Sequence, residues 1–180
     1  NATTATYAQD AEAGLKYLRD TKAFGKVGLL GHSEGGTIAF ILAGAGKTDF
    51  IVSLAGTAIR GDKVLGGQNR LILPTQGVPE AMAEDYCKAL EKVYVYKIAY
   101  GAMAKANSQM IVSMAVGETK VSLPEQLRAN LVTLVETDNA WINYFVSYDP
   151  AEAIKAIKCP VMAVNGSKDI QVIVNDNLPV

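Results

Sequence analysis

The sequence predicts an α/β fold built on a short parallel sheet of about three strands. Short apolar runs recur at Lys26–Leu30, Phe50–Ala55 and Pro160–Val164, each leading into a glycine-bearing turn. Helical spacing lies between them, and strand–helix alternation of this kind argues for parallel βαβ units. From about Gly61 to Tyr148 the texture becomes helical throughout, which predicts an insert between the second and third strands. The expected organisation is a partial core from residues 1–60 and 149–180, with a mainly helical insert at 61–148.

Taken in order, Tyr7, Ala11, Leu15 and Leu18 recur at helical spacing, so Thr3 to about Asp20 reads as an amphipathic helix. Lys26–Leu30 is the first strand, and Gly36–Ala43 an apolar helix after it. Phe50–Ala55 suits a strand buried on both faces. In the insert, Met82, Tyr86, Leu90 and Val93 share a helical face, as do Leu127, Leu131 and Leu134. Pro74, Pro79 and Pro124 punctuate this region, the last two where helices begin. Asp149-Pro150 reads as an N-cap followed by a first-turn proline, opening a helix over Ala151–Ile157. Pro160–Val164 is the third strand.

Composition fits one globular unit, 49% hydrophobic and 19% charged. A formal net charge of −1 and the lack of a Lys/Arg block argue against nucleic acid as a partner. Charges, Gly or Pro interrupt every apolar stretch, so no membrane span is expected. Cys87 and Cys159 are too few for a disulfide framework, read as buried thiols, and leave the compartment open. With one histidine and no C-x-x-C, a zinc site has almost no ligands, and no motif calls for a cofactor. Gly31–Thr37 has P-loop glycine spacing, but Thr37 stands where the lysine belongs. Gly46-Lys47-Thr48 leads out of a helix into a strand, the reverse of the P-loop context.

Gly31-His32-Ser33-Glu34-Gly35 is a G-x-S-x-G motif between a strand and a helix, the setting of a nucleophile elbow. A serine at so sharp a turn takes a strained backbone, and side chains at Gly31 or Gly35 are expected to collide with neighbouring backbone. Ser33 should therefore have positive φ and an accessible hydroxyl at a helix N-terminus, where the dipole favours developing negative charge. His32 is the only histidine. As the neighbour of Ser33 it cannot be its general base, because adjacent side chains diverge, and it reads as a packed or capping turn residue.

The elbow resembles that of the α/β-hydrolase family. Gly166-Ser-Lys-Asp169 is similar to the turn in which that family's penultimate strand presents its triad carboxylate. The resemblance is strongest over Lys26–Gly56 and Asp149–Val172. It implies a capped serine hydrolase with Ser33 as nucleophile, Asp169 as triad acid and the Glu34 backbone N–H as one oxyanion donor. The triad histidine, the second oxyanion donor and the family's earlier strands are absent, so the chain reads as a fragment of such an enzyme, itself inactive. Asn1-Ala2 has the look of a tag-removal scar. Asp149 is the poorer acid, being needed as a cap. An imidazole between Ser33 and Asp169 needs roughly 6–9 Å from hydroxyl to carboxylate.

The substrate implied is a small acyl compound, most simply a carboxylic ester. An aminopeptidase, a thioesterase or a non-catalytic protein on the same scaffold are the alternatives. Tyr94, Tyr96, Tyr100, Met103, Met110, Met114, Trp141, Tyr144 and Phe145 either line an acyl pocket or pack the cap, and packing is the simpler role. Without the earlier strands, Lys26–Leu30 becomes a free sheet edge, which favours a homo-oligomer that buries it.

Overall fold

In a computed structural model, which describes residues 2–180, helix α1 (Thr4–Asp20) comes first. Its cap is built by Thr3, whose hydroxyl accepts from the Thr6 N–H while the Thr6 hydroxyl accepts from the Thr3 N–H. Asn1, half of the dipeptide read as a scar, lies outside the described residues. Next come β1 (Leu29–His32), α2 (Glu34–Gly44) and β2 (Ile51–Leu54). Helices α3 (Gly61–Thr75), α4 (Glu80–Tyr100), α5 (Ser108–Thr119), α6 (Glu125–Glu136) and α7 (Ala140–Ser147) fill the insert. Two short 3₁₀ turns, Gly101–Met103 and Lys105–Asn107, join α4 to α5. The chain then returns through α8 (Ala151–Lys155), β3 (Val161–Val164) and α9 (Val174–Asn177).

The fold is therefore α/β, with one parallel sheet in the order β1-β2-β3. Leu29 registers with Ile51 and Ile51 with Val161. Because register fixes faces, Leu29, Ile51 and Val161 share one face while Leu30, Val52 and Met162 share the other. α1 and α2 cover the first face at β1 and β2, where Ala8, Leu15, Val27 and Leu42 cluster around α1 and Ala39, Phe40, Ala43 and Ile51 around α2. The second face is open. Leu30 is 66% exposed and Met162 60% exposed. A separate apolar cluster holds α3 to α7 together, centred on Leu90, Val93, Ile111 and Leu131.

Several expectations shift. The first strand spans Leu29–His32 instead of Lys26–Leu30, because the ladder to β2 opens where the Leu29 N–H donates to Phe50 O and continues until the Ser33 N–H donates to Leu54 O. The second strand is buried on one face only, through Ile51 and Ser53, while Val52 and Leu54 on the other face are half-buried. β3 is exposed at all four residues. Pro74 lies inside α3, next to its last residue, so its missing N–H removes a single bond, to the Arg70 carbonyl, in the final turn. Pro79 and Pro124 do immediately precede α4 and α6. The helix opened by Pro150 stops at Lys155, and Asp149 caps it by accepting from the Ala151 N–H at 3.0 Å. Cys87 is buried, whereas Cys159 is only half-buried.

Candidate functional site

Ser33 sits between the last residue of β1 and the first of α2, with φ 55° and ψ −121°. Only a few L-residues adopt positive φ, and here the surroundings hold the conformation from both sides. The Ser33 N–H donates to Leu54 O at 3.0 Å, and its carbonyl accepts from the Gly36 N–H at 2.9 Å. The hydroxyl makes no capping bond to α2, and the residue is half-buried. Glu34 is the first residue of α2, so its N–H has no intrahelical acceptor. A hydroxyl and a free N–H thus meet at the positive end of an eleven-residue helix.

The glycines divide differently from expectation. A Cβ at Gly31 would overlap the Gly35 carbonyl and lie 2.7 Å from the Gly36 nitrogen. At Gly35, by contrast, a Cβ meets nothing within 4 Å, so the expected collision there is absent. The turn brings strand backbone onto helix backbone, and only the strand residue points its missing side chain into the contact. Gly36 carries the second constraint, because a Cβ there would overlap Gly56 Cα and stand 3.0 Å from Ser53 Oγ. That close approach lets α2 lie against the end of β2. His32 is exposed, so the packed or capping role expected of it does not hold. It belongs to the outward face of β1, where no helix covers the sheet.

Asp169 lies in the turn after β3, and Ser33 directly after β1. Both follow carboxyl ends of strands in one parallel sheet, so they share an edge. One strand separates them, which puts their strand axes about 10 Å apart. Asp169 Oδ1 accepts from the N–H groups of Gln171 at 2.8 Å and Val172 at 3.0 Å. These bonds hold the carboxylate and commit only one of its oxygens. The turn is tied down further by Asn165 Nδ2, which donates to Val172 O at 3.0 Å. Asn177 secures the next segment by accepting from the Ala58 N–H at 2.9 Å.

The sequence gives no hint of what the Glu34 side chain does. Its Oε1 accepts from the Thr4 hydroxyl at 2.6 Å and from the Trp141 indole N–H at 2.7 Å. Trp141 stacks on Phe145, with ring centroids 5.5 Å apart. Trp141 is 107 positions from Glu34, and no periodicity links residues so far apart. The aromatics of the insert split as well. Tyr94 and Phe145 are buried in its core, and Tyr96, Tyr100 and Trp141 pack against that core. Met103, Met110 and Met114 are exposed and are not part of that core.

Two clefts lie away from this edge. One of about 440 Å³ is bordered by Lys97, Gly101, Val135 and Asn143 within the helical layer. Another of about 620 Å³ is bordered by Gly44, Asp49 and Pro160 at the amino ends of the strands. Ser33 borders neither. No group of three or more His, Cys, Asp or Glu side chains among the described residues is placed to hold a metal ion. No helix among them is long and apolar enough to cross a membrane. No family model matches the chain, and neither a curated protein nor a solved structure matches it.

Proposed function

We propose that the chain is part of a serine hydrolase of the α/β-hydrolase type, acting on carboxylic esters, with residues 61–148 as its cap. The observation that carries the reading is Ser33 itself. Its positive φ, the Gly31–Gly35 backbone contact and its place at the start of α2 are what a nucleophile elbow requires. Asp169 supports it, following the second strand over at the same edge with one oxygen uncommitted.

In the proposed reaction Ser33 Oγ bonds to the acyl carbonyl carbon and the alcohol leaves. The serine proton passes to an imidazole that Asp169 orients and from there to the departing alcohol oxygen, and the Glu34 N–H steadies the oxyanion. Water then cleaves the acyl-serine to the acid and free hydroxyl. That imidazole is not His32, which neighbours the serine and faces solvent on β1. It comes from outside these 180 residues. The chain alone is therefore expected to turn over p-nitrophenyl esters slowly.

The test is acylation of Ser33. With p-nitrophenyl acetate and added imidazole as the missing base, followed by rapid removal of both, peptide mass spectrometry should find acetyl on Ser33, because deacylation then lacks its base. The Ser33→Ala variant controls for acetylation elsewhere. No acetyl at Ser33 with or without imidazole would favour a non-catalytic protein on the same scaffold, a reading that the lack of a base in the chain also supports.

A further inference from the structure

One carboxylate joins three helix N-termini. Glu34 opens α2, Thr4 opens α1, and Trp141 lies in the first turn of α7. Glu34 Oε1 accepts from both of the others, at 2.6 and 2.7 Å. Hydrogen bonds to an ionised acceptor are stronger than neutral ones, and each helix start favours negative charge beside it. Among the described residues no other side-chain hydrogen bond links residues 31–37 to α3–α7. The indole is thereby held within a side chain's length of the elbow backbone. One face of the ring is taken up by stacking on Phe145, whose backbone in turn abuts Gly61 at the start of α3.

We infer that Glu34 is a positioning residue that fixes the height of the helical layer over Ser33, and that Trp141 is the aromatic wall met by an acyl chain entering there. The substrate class follows from that wall. A flat indole, its N–H already engaged, offers dispersion contact and no free donor, which suits an unbranched aliphatic acyl group. This second half rests on the reading of Ser33 as an acyl-transfer nucleophile, whereas the first half does not.

Trp141 is the only tryptophan, so its emission reports this contact alone. In Glu34→Ala the emission should shift to longer wavelength and acrylamide quenching should rise at least twofold, with far-UV circular dichroism unchanged. Glu34→Gln keeps an acceptor oxygen and should restore most of both signals. If Glu34→Ala does not fold, Glu34→Asp serves, since a chain one methylene shorter cannot span both donors and should give the same shift. Unchanged emission and quenching in the folded variant would overturn the positioning role.

The acyl wall is read with methyl 6-bromohexanoate, whose bromine quenches an indole that it touches, against methyl hexanoate as control. Quenching should saturate in the wild type and become linear in Glu34→Ala. Linear quenching in the wild type would remove Trp141 from the acyl site. Acetylation of Ser33 is measured separately, so an active serine with Trp141 elsewhere and a pinned Trp141 beside an inert serine give different results.

Discussion

At the scale of single residues, the elbow separates two glycines that look equivalent in the motif. Gly31 faces the Gly35 backbone, so Gly31→Ala must push strand and helix apart. It should cost on the order of 3 kcal/mol or more, in the range of strain forced on a packed site. Gly35 is helical with open space beside it, so Gly35→Ala should be neutral or stabilise by up to about 1 kcal/mol through helix propensity. Urea denaturation of the two variants checks both. Equal losses would mean that the motif's symmetry, and not the one-sided contact, sets the constraint. Cys87 shows the same dependence on place. It is fully buried and burial pushes its thiol up to about 11, so a thiol reagent at neutral pH should modify only the half-buried Cys159 until the chain unfolds.

At the scale of elements, α6 ends on an unusual cap. Lys97 of α4 is buried, and its ammonium donates to the carbonyls of Leu134 at 2.7 Å, Val135 at 3.2 Å and Thr137 at 2.6 Å. These are acceptors that the end of a helix leaves unpaired. Lys97→Met keeps the stem and removes all three bonds, and it should lower stability by about 1–3 kcal/mol in urea titration. α4 also sets a response to alkali. Burial raises the Cys87 thiol to about 11 and the Tyr86 hydroxyl to about 12. The unfolded chain ionises both groups at lower pH and so binds fewer protons, and stability falls as pH rises. The loss should begin near pH 9 through Cys87, continue from pH 10 through Tyr86, and level off above their folded values. Lys97 acts oppositely, because burial lowers its pKa, so the unfolded chain binds more protons just below pH 10.5. Denaturation midpoints from pH 8 to 11 should show the first decline in the wild type and not in Cys87→Ala.

At the scale of the whole molecule, the uncovered part of the sheet is the main feature left without a partner. The N–H groups of Leu29 and Ser33 point to β2, so by alternation those of Leu30 and His32 point to the free edge of β1. Leu30 and Met162 carry the same row across an open apolar face. Such an edge pairs readily with another strand, and the simplest occupant is a second copy related by a two-fold axis. Sedimentation at micromolar concentration should show a dimer or larger assembly, and the double substitution Leu30→Lys, Met162→Lys should return it to monomer. A wild-type monomer over that range would mean that the edge stays solvated.

The parts that local chemistry determines were legible in the sequence. The strained serine follows from G-x-S-x-G between a strand and a helix, and Ser33 has φ 55°. The Thr3 start of α1, the helices after Pro79 and Pro124 and the Asp149 cap follow from groups within a few residues of one another. Each depends on backbone conformation and hydrogen bonds closed inside one turn. What required the tertiary structure was every relation between distant segments. Gly31 matters and Gly35 does not because of how strand backbone crosses helix backbone. His32 and all of β3 are exposed because no helix covers that part of the sheet. The Glu34 carboxylate reaches Trp141 only because packing brings α7 to the elbow. Periodicity states which face of an element is apolar, but it does not state which neighbour covers that face, and long-range contacts are decided there.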